Sequence, residues 1–106
     1  MKKKMEMSQE EFEVSRIRIP RQGEVLGIIE MMVGGDKMRA RCDDGNERLV
    51  RIPGRLRKRV WMREGDLILI APWKVQTNER GDVAFRYTST QANWLKRKGF
   101  IKSNIF

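Results

Sequence analysis

The sequence predicts a mainly β protein: a five-stranded barrel, one C-terminal α-helix behind it and a flexible charged arm in front. Three observations predict this. Short apolar runs with strand periodicity lie between residues 23 and 87, glycine and aspartate turn signals separate them, and helix-start and helix-stop chemistry follows the last of them. A chain of 106 residues is one domain's worth, able to bury roughly 60 to 70% of its unfolded surface in a single core.

Residues 1–21 are charged, of mixed sign and without apolar periodicity, and Pro20 stands just before the first apolar pattern, so they are expected to form the arm. The barrel is expected over residues 22–88. Its first strand lies between Gly23 and Val33, where Val25, Leu26, Ile28, Ile29, Met31 and Met32 are β-rich and Gly27 marks a bend or a close backbone approach. Gly34, Gly35 and Asp36 offer hairpin turn chemistry, after which Lys37 to Cys42 alternates with period two. That alternation points Met38, Ala40 and Cys42 inward and Lys37, Arg39 and Arg41 outward. Asp44 and Gly45 signal a second hairpin, and Glu47 to Ile52 returns as the third strand, carrying Arg48 and Arg51.

Pro53 and Gly54 close that strand. The next segment, RLRKRVWM from Arg55 to Met62, is too short and too basic for a freestanding amphipathic helix, and one or two helical turns at the barrel's edge are expected. After a turn at Glu64, Gly65 and Asp66, the run Leu67 to Ala71 is continuously apolar, as in a strand buried on both sides, and Pro72 ends its ladder. Thr77 to Asp82 reads as a polar loop, followed by Val83, Phe85 and Tyr87 as the fifth strand. Thr88 and Gln91 have capping-box spacing, Lys96, Arg97 and Lys98 suit a helix C-terminus, and Gly99 supplies a stop. Residues 89–98 should therefore be helical and pack Trp94 or Leu95 on the barrel, so that residues 89–106 make up a helix and a short tail. Five strands with an element between the third and fourth match a Greek-key barrel of the oligonucleotide-binding type (OB-fold), although alternation alone also permits an SH3-like barrel.

A formal net charge of +9 draws the protein to polyanions, so nucleic acid or an anionic membrane is the expected partner. Membrane is the weaker choice, because the longest apolar run falls far short of the roughly 20 residues that span a bilayer. Lys2, Lys3 and Lys4 are followed by Glu6, Gln9, Glu10, Glu11 and Glu13 where an export signal needs apolar residues, and a cytoplasmic location is expected. One cysteine, Cys42, and no histidine leave no intramolecular disulfide, no ordinary zinc site and no histidine base. Cys42 reads as a buried hydrophobe. The carboxylates lie mostly in turns and in the arm, so neither catalysis nor a cofactor is expected.

Between Lys37 and Glu64 there are ten basic and four acidic residues, which places six of the nine net positive charges in this region. Charged outer faces usually just keep a strand wet, but here one sign dominates. Alternate strand residues lie about 6.6 to 6.8 Å apart on one surface, so Lys37, Arg39 and Arg41 form a regular cationic row. Eight of the ten are arginine, which favours bidentate phosphate contacts and stacking on bases. The candidate RNA-binding residues are Lys37, Arg39, Arg41, Arg48, Arg51, Arg55, Arg57, Lys58, Arg59 and Trp61. Trp61, Trp73, Phe85 and Tyr87 are candidate stacking platforms, with Trp73 and Phe85 read as core first. Lys96 to Lys98 read as helix capping, with RNA contact as a secondary role.

The segment CDDGNERLVRIPGRLRKRVWMREGD (Cys42 to Asp66), with APW (Ala71 to Trp73) and RYTSTQANWLKRKGF (Arg86 to Phe100), resembles the translation initiation factor 1A family, the archaeal and eukaryotic counterpart of bacterial initiation factor 1. The resemblance runs from Arg18 to Phe100. It implies an OB-fold barrel with an added helix, seated in the A site of the small ribosomal subunit beside the decoding region. It further implies a factor that helps assemble the initiation complex, keeps initiator tRNA out of the A site and cooperates with other initiation factors. Residue by residue, it assigns the rRNA-facing surface to Arg39, Arg41, Arg48, Arg51, Arg55, Arg57, Lys58, Arg59 and Trp61. The implied partners are small-subunit rRNA, ribosomal proteins near the A site, other initiation factors and the initiator tRNA complex, with the free protein a monomer. Eukaryotic members carry a long acidic tail and usually a basic residue where Pro53 stands, so the expected form is archaeal. The alternative is a general single-strand RNA-binding chaperone of the cold-shock type, which would need exposed aromatics on strands two and three, and those strands contain none.

Overall fold

Strand β1 (Val25–Met32) pairs with two neighbours, and this double use closes the barrel. In the computed structural model, which describes residues 8–57, 62–102 and 105, β1 runs antiparallel to β2 (Lys37–Cys42) from Gly27 to Met32 and antiparallel to β4 (Leu67–Pro72) from Val25 to Ile28. A bulge between Ile29 and Met31 raises the local twist that such a bend needs. β3 (Glu47–Arg51) pairs with β2, setting Lys37 opposite Arg51 and Arg41 opposite Glu47. β5 (Arg80–Arg86) is antiparallel to β4 and parallel to β3, with Leu49 beside Arg80 and Arg51 beside Asp82. The closed order β1-β2-β3-β5-β4 is that of the OB-fold, so the SH3-like option falls away.

The fifth strand starts earlier than expected, because residues 80–82 are strand and not loop. Gly81 makes this possible: a Cβ there would lie 2.6 Å from Ile70 Cγ2, so only glycine lets the chain pass the core and reach β3. Gly27 meets the other end of the same side chain, with Ile70 Cδ1 2.8 Å and the Arg41 carbonyl 3.1 Å from where its Cβ would be. That is the close approach its position in the strand suggested.

Two apolar clusters hold the domain, one on each side of β4. Ile68 and Ile70 face the barrel interior with Ile29, Met38, Ala40, Cys42, Val50 and Val83. Leu67 and Leu69 face outward, under Leu95 and Ala92 of helix α3 (Ser89–Arg97), with Leu26, Ile28 and Tyr87. An unbroken apolar run is what a strand covered on both faces requires, and each fully buried Leu or Ile contributes roughly 1.5 to 3 kcal/mol. Leu95 is the helix's buried anchor, while Trp94 stacks on Phe100 at 5.8 Å. Tyr87 is also core, its hydroxyl donating to the Arg18 carbonyl, and Phe85 meets it edge-on at 4.9 Å.

Helix α2 (Gly54–Arg57) is one turn after Pro53. Part of the expected arm is ordered as helix α1 (Gln9–Ser15), begun by a capping box between Ser8 and Glu11. It docks on α3: Thr88 Oγ1 donates to Glu13 Oε1 at 2.6 Å, Gln91 Nε2 donates to the Glu13 carbonyl at 2.8 Å, and Arg97 pairs with Glu10 at 2.9 Å. The helix buries no residue, which is why apolar periodicity did not reveal it. Among the described residues, no helix is long and apolar enough to cross a membrane.

Candidate nucleic-acid interface

The outer faces of the barrel differ in what covers them. α3 packs over Leu26, Ile28, Leu67 and Leu69 of β1 and β4. On β2, Arg39 and Arg41 are exposed and Lys37 is half-buried, while Met38, Ala40 and Cys42 are buried, as the period-two pattern requires. Burial pushes the Cys42 thiol up, which removes it as a nucleophile. The strand register then adds Arg51 beside Lys37, Leu49 beside Arg39, and Arg80 beside Leu49. Arg55, on the turn of α2, is exposed as well.

Of the arginines on this face, Arg39, Arg55 and Arg80 take part in no ion pair among the described residues. Others are partly neutralised: Arg41 Nε lies 3.5 Å from Glu30, Lys37 Nζ 3.5 Å from Asp36, and Arg51 Nη2 3.1 Å from Asp82. Exposed pairs of this kind contribute about 1 kcal/mol or less, so a phosphate can exchange with the carboxylate at little cost.

Arg48 does not belong to this face. Only 2% of it is exposed, its Nη1 and Nη2 grip Asp44 at 3.1 and 2.9 Å, and its Nε donates to the Thr77 carbonyl at 2.7 Å. Parity explains the correction. Arg48 and Val50 share one face of β3 and Arg51 lies on the other, so a strand that buries Val50 buries Arg48 too. Lys58, Arg59 and Trp61 lie outside the described residues, as does the side chain of Arg57.

Arg80 lies outside the stretch that the charge count singles out, and Trp73, expected first as core, is only half-buried. Trp73 follows β4, is half-buried and belongs to neither apolar cluster. Its indole nitrogen donates to Asp82 Oδ1 at 3.0 Å, and the guanidinium carbons of Arg51 and Arg80 each lie 5.8 Å from its ring centroid. The β3–β5 pairing brings these four residues together across about thirty positions of sequence, so no local pattern marks them.

One concave feature of the molecule is less suited to an anion. A groove of about 410 Å³ at the end of the barrel opposite α2 is lined by three carboxylates, Glu24, Asp43 and Asp44, against two cations, Lys102 and Arg48, and Asp44 already meets the charge of Arg48. Among the described residues, no three histidine, cysteine or acidic side chains gather to hold a metal ion.

A family model described as "Translation initiation factor 1A / IF-1" matches residues 9–106. Translation initiation factor 1A of Methanothermobacter thermautotrophicus is 51% identical over 90 residues, covering 85% of this chain and 91% of that protein. The same factor from Thermococcus kodakarensis is 48% identical over 106 residues, covering 98% and 91%. In fold, the chain is similar to the solution structure of translation initiation factor IF-1 from the Wolbachia endosymbiont of Brugia malayi, with a TM-score of 0.50 at 20% identity over 65% of this chain and 82% of that one. The chain belongs to the translation initiation factor 1A / IF-1 family, whose work is translation initiation.

Proposed function

We propose that this protein binds rRNA at the A site of the small ribosomal subunit and promotes assembly of the initiation complex with initiator tRNA, without catalysing a reaction. The observation that carries the reading is the arginine-rich outer face of β2 and β3, continued by Arg80 at the start of β5 and left open because α3 packs over β1 and β4. Lys37, Arg39, Arg41, Arg51 and Arg55 are the proposed contacts, and Arg57, Lys58, Arg59 and Trp61 extend them along the chain. Arg48 supports the surface from inside. The face is rich in arginine, which suits bidentate contacts to phosphates on a folded RNA surface. Ribosomal proteins near the A site and other initiation factors complete the surroundings, in the cytoplasm. A cold-shock type chaperone would stack several bases on this face, and among the described residues Trp73 is its single aromatic.

Cosedimentation with small ribosomal subunits across a salt titration tests the reading. With about six phosphates contacted, at about 0.7 per contact, the log–log slope should be near −4, a few hundredfold loss of affinity for fourfold more salt. Base and backbone footprints should gather at the decoding region. A slope near zero, or protection scattered over the subunit, would overturn it.

A further inference from the structure

We propose that Trp73, with Arg51 and Arg80 beside it, is a stacking site for one unpaired nucleotide of the bound RNA. This rests on the rRNA-binding reading and adds an aromatic contact on the far edge of the cationic face.

The position of the ring is otherwise unexplained by packing, since Trp73 joins neither the barrel interior nor the cluster under α3. Its orientation is nonetheless held. The indole N–H donates to Asp82 Oδ1 at 3.0 Å, and the Trp73 backbone N–H donates to the Arg80 carbonyl at 3.1 Å. With its one donor satisfied, the side chain has only its π surface left to offer a partner.

The two guanidinium groups at 5.8 Å mark that surface as a place where flat cations already rest. An unpaired base is flat as well, and it can take the ring face while a guanidinium moves outward to the adjoining phosphate. Arg80 is suited to that movement because it has no ion pair among the described residues, whereas Arg51 must first exchange Asp82, at 3.1 Å, for the phosphate. A stacked base with its phosphate on Arg80 uses every group in the cluster. Because every base has a π face, the site accepts an exposed nucleotide by shape and position and not by sequence.

The test compares wild type, Trp73→Leu and Trp73→Phe for thermal midpoint, small-subunit affinity at fixed salt and base-reactive footprint. Trp73→Leu should bind roughly fivefold to a hundredfold more weakly, the range that one base–aromatic stack supplies, with an unchanged salt slope. One nucleobase protected by wild type should regain reactivity, and Trp73→Phe should restore most of the binding. Binding within twofold of wild type and an identical footprint for Trp73→Leu would overturn the proposal. Should the leucine variant fail to fold, ultraviolet crosslinking of the wild-type complex decides: a base attached to the Trp73 peptide supports the site, and its absence overturns it. Wild type that ignores small subunits sinks the rRNA reading itself, whereas normal wild-type binding with an unaffected leucine variant sinks only this one.

Discussion

Arg48 grips Asp44 through both terminal nitrogens, at 3.1 and 2.9 Å, with 2% of the arginine side chain and 40% of the aspartate exposed to solvent. Together with the bond from Arg48 Nε to the Thr77 carbonyl, this pair ties the β2–β3 turn to the β4–β5 loop at one end of the barrel. Burial disfavours both charges, but the mutual hydrogen bonds outweigh it, holding the Asp44 carboxyl below its usual range and the Arg48 guanidinium above its own.

Arg48→Ala should destabilise the fold by about 3 kcal/mol, a fall of roughly 15 °C in the thermal midpoint of a domain this size. Small-subunit affinity of the folded protein should change less than twofold. Calorimetry and cosedimentation check the two halves, and lost binding with an unmoved midpoint would make Arg48 an RNA contact after all.

The pH dependence follows from Asp44. Its carboxyl titrates lower in the folded protein than in the unfolded chain, so its stabilisation is fully present above the unfolded value of about 3.9 and is lost as pH falls through the folded one. Asp44→Asn should therefore cost about 2 kcal/mol at pH 7, less than a fully buried pair because water reaches the carboxylate. The gap to wild type should narrow below pH 4. Urea unfolding at neutral and acid pH measures it, and a constant gap would show that Asp44 contributes no linkage.

Arg39→Ala combined with Arg41→Ala should lower the magnitude of the salt slope by about 1.4 and weaken small-subunit binding at low salt. Both side chains are exposed, so the thermal midpoint should move by only a few degrees. A salt titration of the double variant against wild type reads both. An unchanged slope would place the phosphate contacts elsewhere.

Gly27 and Gly81 both lie against Ile70, but against different atoms. Either glycine changed to alanine should cost about 1 to 3 kcal/mol by overpacking. Ile70→Val removes Cδ1, which faces Gly27, and keeps Cγ2, which faces Gly81. Double-mutant cycles from denaturant unfolding should then show rescue of Gly27→Ala by about 1 kcal/mol and none for Gly81→Ala. Equal rescue of both would mean that the isoleucine rotates away from either contact.

The elements readable from sequence were those set by neighbouring residues. The hairpins at Gly34–Asp36 and Asp44–Gly45, the inward set Met38, Ala40 and Cys42, the doubly covered β4 and the Thr88–Gln91 cap all follow from period two, turn chemistry or capping. The exposed Arg39, Arg41 and Arg51 were legible for the same reason. The inward turn of Arg48 was also available, because three positions along a strand separate opposite faces, but a count of charges ignores parity.

Strand period, turn chemistry and net charge are local properties, so most of the barrel's strands, α3 and the surplus of arginine over the middle of the chain are readable from the residues alone. Which surface stays open depends on the tertiary packing, since α3 covers β1, β4 and the later part of β5 and leaves the outer faces of β2 and β3 uncovered. The tertiary packing also decided that Arg48 is spent on Asp44 and that Arg51, Trp73, Arg80 and Asp82 meet. Those neighbours exist only once β5 has passed Gly81 and joined β3, a long-range closure that no run of adjacent residues encodes.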